Sequence, residues 1–217
     1  MRRAVWAALA LIAAAPCQAA PPPKTDAQLW SEVDLTIPAS QAVSANFLAV
    51  SRYGATLPNP TLAGGGGMLD WRLGGWVLAA GDLAVDAREA GSGKSLGVNV
   101  PLAAVSYGWT IGGLALSERA RFENLLGVPG DPWRLRNRVL AEHKISGLGV
   151  LRSVFASDEV FYDLGRDQWS RNRAQLGVGL TLARQVAFDI YYMRQDDRFS
   201  RPGGLNIAGL TLKLEVK

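Results

Sequence analysis

The sequence predicts an all-β protein, a closed antiparallel transmembrane β-barrel of about 10–12 strands with short turns at one end and longer loops at the other. Three observations predict it. Apolar and polar residues alternate with a period of two through most of the chain, and no long stretch repeats every 3.6 residues. The connections between the alternating segments are short and long in turn. The one long apolar run lies at the extreme N-terminus and, at about a dozen residues, is too short to cross a bilayer as a helix. The 217 residues suffice for one domain, and 48% hydrophobic with 19% charged residues is too polar for a bundle of membrane helices.

The N-terminus reads as a secretory signal. Met1-Arg2-Arg3 is basic, Ala4 to Ala15 is apolar, and Pro16 to Ala20 ends in small residues. Cleavage after Ala19 puts Cys17 and Ala19 at the two small-residue positions, whereas cleavage after Ala20 would leave Pro21 first. A lipid-modified Cys17 would need small residues just before it, and Pro16 stands there. The chain thus divides into a signal (1–19), a Pro-rich linker (20–26) containing Pro21-Pro22-Pro23, and a barrel domain (27–217). Cys17 departs with the signal, which removes disulfides and thiol chemistry from the mature chain. Arg2 and Arg3 depart too, so the formal charge of +4 overstates the basicity of the mature protein. Nucleic acid is not an expected partner of an exported, nearly neutral chain.

The candidate strands, in order, are 28–37, 42–53, 66–73, 76–89, 95–109, 114–123, 133–145, 149–162, 169–182, 186–195 and 204–216. Side chains switch faces at each residue of a strand, so each segment has an apolar and a polar face. Val33, Leu35 and Ile37 oppose Glu32, Asp34 and Thr36; Leu69, Trp71 and Leu73 oppose Asp70 and Arg72; Leu135, Val139 and Ala141 oppose Arg134, Arg136, Arg138 and Glu142. The alternation is cleanest near the end: Leu176, Val178 and Leu180 against Gln175 and Thr181, Phe188 and Ile190 against Asp189, and Leu210, Leu212 and Leu214 against Thr211, Lys213 and Glu215. A soluble sandwich would alternate as well. The loop rhythm, the signal and the tryptophans favour the membrane barrel. Trp133 and Trp169 open strands beside long loops, whereas Trp76 and Trp109 adjoin short turns, as two interfacial girdles require. Eleven segments conflict with the even strand number of bacterial single-chain barrels. Ten or twelve strands are therefore expected, with the Trp30 segment the weakest candidate for a full wall strand.

Several stretches in order resemble a bacterial outer-membrane β-barrel family known only as a domain of unknown function (the 2490 type). They are Trp30 to Leu35, Glu118 to Glu123, Trp133 to Arg138, Asp158 to Phe161, Asn172-Arg173 with Gly177 to Gly179, and Ile190 to Met193. The resemblance implies a barrel in the outer membrane of a Gram-negative bacterium, reached by Sec-type export; it implies no reaction. The chain departs from barrel habit at its end, where Leu214-Glu215-Val216-Lys217 lacks the terminal aromatic read by the insertion machinery.

The chemistry-bearing residues point away from catalysis. His143 is the only histidine. A Ser–His lipase would need it near the outer leaflet, but it lies three residues before the turn at Ser146 and reads as an interfacial residue. With no second His and no mature Cys, no zinc site of those ligands is expected, and no cofactor. Gly64 to Gly67 opens no helix, so it reads as a flexible loop rather than a phosphate cradle. Asp163, Asp196 and Asp197 read as solvated loop carboxylates, and Asp158 and Glu159 point to opposite faces of one strand.

The sharpest expectation concerns arginine. Arg52, Arg119, Arg121, Arg134, Arg136, Arg138, Arg171 and Arg173 all lie on polar faces toward the long-loop end, with Glu123, Glu142, Glu159 and Asp189 as candidate partners. An arginine at mid-depth on the lipid face costs about 2–4 kcal/mol, so these residues belong in the lumen. They would form either a salt-bridged plug or an anion-attracting mouth. The expected function is that of a non-enzymatic, porin-like barrel, a narrow pore or a structural element. Its expected partners are the bilayer, lipopolysaccharide, the insertion machinery and a small anionic solute. Two alternatives stay open, an outer-leaflet lipid-modifying enzyme and a periplasmic barrel for an apolar ligand.

Overall fold

The computed structural model describes residues 25–54, 60–88, 94–130, 132–200 and 202–216. The signal, Cys17 and most of the Pro-rich linker lie outside the described residues. Eleven strands follow one another: β1 (Thr25–Pro38), β2 (Val43–Gly54), β3 (Pro60–Leu73), β4 (Trp76–Arg88), β5 (Ser95–Ile111), β6 (Leu114–Asn124), β7 (Trp133–Lys144), β8 (Leu151–Asp163), β9 (Gln168–Ala183), β10 (Val186–Asp197) and β11 (Gly204–Glu215). Each pairs with its sequence neighbours, and β1 closes on β11. Among the described residues no strand is left without a partner on either side, the condition a sheet must meet in lipid.

The strand count is odd, which corrects the expectation of ten or twelve. When every strand is antiparallel to its predecessor, the first and eleventh run in the same direction. Closure therefore needs one parallel pair, and β1 and β11 supply it from Thr25↔Gly204 to Thr36↔Glu215. Nor is the Trp30 segment a partial strand, since β1 pairs along its length with both β11 and β2. Laterally paired residues climb round the barrel from Val43 at the foot of β2, through Trp71, Leu78 and Val105, to Gly204 and Thr25 at the heads of β11 and β1. That climb is the stagger of a tilted barrel.

Connections at the foot, here the turn end, include Gly74-Gly75, Gly112-Gly113 and Arg184-Gln185. Gly112 and Gly113 have φ of 56° and 85°, the left-handed pair of a type I′ hairpin that matches strand twist. The opposite, loop end holds the longest described connection, 125–132, which hydrogen-bonds back onto β5 through reciprocal Asn99–Leu126 amide contacts of 3.0 and 2.9 Å. The length rhythm is weaker than expected, because the β7–β8 connection at the turn end (145–150) is longer than the β8–β9 connection at the loop end (164–167).

Gly64 to Gly67 does not form a loop. It lies within β3, paired to both β2 and β4. A side chain at Gly64 or Gly66 would run into the carbonyl of Ala84 or Asp82, so glycine lets β3 and β4 approach and bend. Aromatic rings gather outside at both ends. Trp76 and Tyr107 meet at a tilt with ring centres 4.7 Å apart near the turns, while near the loops Phe122 stacks on Trp133 (4.7 Å) and Tyr162 meets Trp169 edge to face (5.2 Å). Inside, Trp30, Met193, Leu205 and Ile207 form a small apolar core against Tyr191.

Candidate functional site

The lumen holds a cavity of about 780 Å3, and its two sides differ in chemistry. Alternation puts Arg119, Arg121 and Glu123 of β6 on one face, and lateral register brings them beside Arg138, Arg136 and Arg134 of β7. Glu159 and Phe161 of β8 follow, then Arg173 and Arg171 of β9. All of these line the cavity.

Two buried carboxylates organise this wall. Glu123, 1% exposed, accepts from Arg134 (Nε 3.0 Å, Nη2 2.5 Å), Arg136 (Nη1 2.7 Å) and Arg121 (Nη1 3.5 Å). Glu159 accepts from Arg136 (Nη2 at 2.9 Å to each oxygen, Nε 3.2 Å) and from Arg119 (3.2 Å), with Arg173 at 3.7 Å. Arg136 thus bridges both carboxylates through its planar fork, a geometry lysine cannot reproduce. Phe161, 1% exposed, sits among four guanidinium groups, those of Arg134, Arg136, Arg171 and Arg173, at 4.6 to 5.3 Å from its ring centre. Trp30 extends the stack, with Arg52 at 3.9 Å and Arg173 at 4.9 Å. The quadrupoles of these rings offset part of the repulsion among the cations.

The predicted residues therefore divide. Glu123 and Glu159 join the arginines. Glu142 and Asp189 do not, and the expectation that they would is corrected. They lie toward the turn end, where Arg152 reaches Asp189 at 3.1 Å and Glu142 at 3.9 Å, and Lys213 pairs with Asp189. Parity fixed their face, while their distance along the strand from Arg134 and Arg173 keeps them at another depth. Asp197, read from sequence as a solvated loop carboxylate, is instead buried and paired with Arg171 through Nε (2.6 Å) and Nη2 (2.5 Å). Arg52 and Arg138 line the cavity and form no ion pair among the described residues. Among the described residues the ion pairs of these eight arginines go to Glu123, Glu159 and Asp197, while Glu32, Asp34, Asp70, Glu142 and Asp189 also line the cavity.

Sequence reasoning missed Trp30 and Phe161, although each lies two residues from an inward carboxylate, Glu32 or Glu159, and so shares its face. It also missed the opposite side of the lumen. There Leu62 of β3, Leu83 and Val85 of β4, and Val98 and Val100 of β5 point inward and line the cavity. Their polar neighbours Asp82, Asp86 and Asn99 face outward. Polarity is inverted on this side, since an outer-membrane barrel normally turns its polar face inward. The outer surface carries polar pairs as well, among them Asn137 donating to Glu118 and Asn172 to Asp158, each at 2.9 Å.

His143 faces outward at the turn end of β7, and no described serine hydroxyl bonds to it. Among the described residues no group of three His, Cys, Asp or Glu side chains is arranged to hold a metal ion.

Fold and lumen together define a closed β-barrel with a charged, partly apolar interior. The chain belongs to the family described as Protein of unknown function (DUF2490), whose model matches residues 27–203. No curated protein matches it. A solved structure that it resembles is the anion-selective porin from Comamonas acidovorans, at 15% identity over 81% of this chain and 54% of the porin, with a TM-score of 0.36. The chain spans about half the length of that porin.

Proposed function

We propose that this protein is a non-enzymatic β-barrel of the Gram-negative outer membrane whose lumen draws small anions in from the loop end. The observation that carries the reading is local: eight arginines gather in one stretch of the lumen wall, where Glu123, Glu159 and Asp197 supply their ion pairs and Arg52 and Arg138 have no ion-pair partner among the described residues, although the cavity as a whole is also lined by Glu32, Asp34, Asp70, Glu142, Asp189 and Lys213. In a low-dielectric wall such a surplus focuses a positive field into the opening and raises the local anion concentration. The signal-like pattern of the N-terminal sequence, the closed sheet and the two aromatic levels support the location. The position of His143 at the turn end, bonded to no described serine hydroxyl, weighs against a lipid-modifying enzyme.

A second reading, a structural barrel with a filled lumen, is favoured by the close bonding of Glu123 and Glu159 to Arg134 and Arg136. Conductance of the purified protein in planar bilayers separates the two. The anion reading expects small currents with a reversal potential shifted toward chloride in a salt gradient. It also expects Arg52→Gln with Arg138→Gln to lower that preference while the heat-dependent shift in gel mobility persists. Folded protein without current, or with cation preference, defeats it and leaves the structural barrel.

A further inference from the structure

The apolar side of the lumen has no use in passing a hydrated small ion. A methyl-lined wall offers an anion no hydrogen bond and gains nothing from it, whereas it gains free energy by covering a hydrocarbon chain. The wall is continuous, because Leu83 and Val100 are lateral partners, as are Val85 and Val98. Leu125 and Val128 of the 125–132 connection extend it over the cavity. Arginine flanks it on both sides. Arg52 is the lateral partner of Leu62, and Arg121 the lateral partner of Ala104. Buried Arg121 Nε has no hydrogen-bond partner among the described residues, and Arg52 stacks on Trp30 and forms no ion pair among the described residues. A cavity of about 780 Å3 lies within the range of roughly 300–1,000 Å3 that small-molecule sites occupy.

We infer that the lumen is a binding site for a single-chain anionic amphiphile. Its carboxylate or phosphate head meets Arg52 and Arg121, and its chain lies along Leu83, Val85, Val98 and Val100. This rests on the reading that the lumen admits anions, and it narrows the anion to one with a hydrocarbon tail. Carboxylate and phosphate share the same chemistry toward guanidinium forks, so the head is left to experiment.

Native mass spectrometry of the refolded barrel, released from a non-ionic detergent, provides the test. The probes are dodecanoate, dodecyl phosphate, dodecanol and butanoate, each added separately. The site expects one dodecanoate or dodecyl phosphate per barrel, bound at least tenfold more tightly than dodecanol or butanoate. A preference between the two heads assigns the ligand to fatty acids or to phosphate monoesters. Arg52→Gln with Arg121→Gln should weaken dodecanoate at least tenfold. Val85→Thr with Val98→Thr, which keeps side-chain volume, should weaken dodecanoate but not butanoate. If the threonine pair fails to give the folded gel band, the comparison of dodecanoate with butanoate on the unaltered protein decides. Equal binding of dodecanoate and butanoate would overturn the inference and leave the anion reading standing. Equal binding of dodecanol and dodecanoate would show that arginine reads no head and would also overturn it. Absence of every anion adduct would remove both readings.

Discussion

Glu159→Gln tests how much of the barrel's stability resides in the arginine wall. Glu159 is 6% exposed and accepts four hydrogen bonds of 3.2 Å or less, three from Arg136 and one from Arg119. Glutamine keeps the shape and one acceptor oxygen but loses the charge. A hydrogen bond to a charged group contributes about 1.5–3 kcal/mol, against about 0.5–1.5 kcal/mol for a neutral one. Removing one member of a buried ion pair costs about 3–5 kcal/mol, because the partner charge stays behind without compensation. Water has access to the cavity beside the network and screens part of this, which places the expectation at the lower end, about 3 kcal/mol. The measurement is reversible urea unfolding in lipid vesicles, followed by tryptophan fluorescence and the gel mobility shift. Adding Arg136→Gln should recover part of the loss, because the single variant leaves that guanidinium facing only Glu123; a coupling of about 1–3 kcal/mol is expected between the two sites. A loss below about 1 kcal/mol with no coupling would refute the reasoning, since the ion pairs would then be solvated contacts that hold nothing.

Two further predictions address the wall itself. Gly66→Ala, whose new methyl meets the Asp82 carbonyl, should destabilise the barrel by about 2 kcal/mol more than Gly67→Ala, which meets the Phe47 ring at 3.4 Å and the Asn46 carbonyl at 3.7 Å, both ordinary contacts; equal midpoints in urea would show that the β3–β4 approach is not tight. The parallel seam places Val33 beside Leu212, about 4.8 Å apart as neighbouring strands are and within disulfide range. Val33→Cys with Leu212→Cys should therefore cross-link on oxidation as readily as the antiparallel control Val178→Cys with Ile190→Cys. A cross-link in the control alone would break the eleven-strand closure.

Much of this barrel could be read from the order of residues alone. Alternation located nearly every strand, because a period of two has no helical counterpart, and parity put Arg134, Arg136 and Arg138 on one face. Parity separates the two faces of a strand without saying which is inward. In β4 the pattern of Val77, Leu83 and Val85 against Asp82 and Asp86 was legible, yet only the register with β3 and β5 turns the apolar residues into the lumen. Depth was likewise decided in three dimensions. Glu142 shares a face with Arg138 but lies one turn-end cluster away, whereas Asp197, distant in sequence, reaches Arg171 across a lateral pair. The sequence by itself determined the strands, their two faces and the stock of arginines. Only closure decided the odd strand count, the parallel seam, and the meeting of an arginine wall with an apolar one, because each depends on which strand ends beside which.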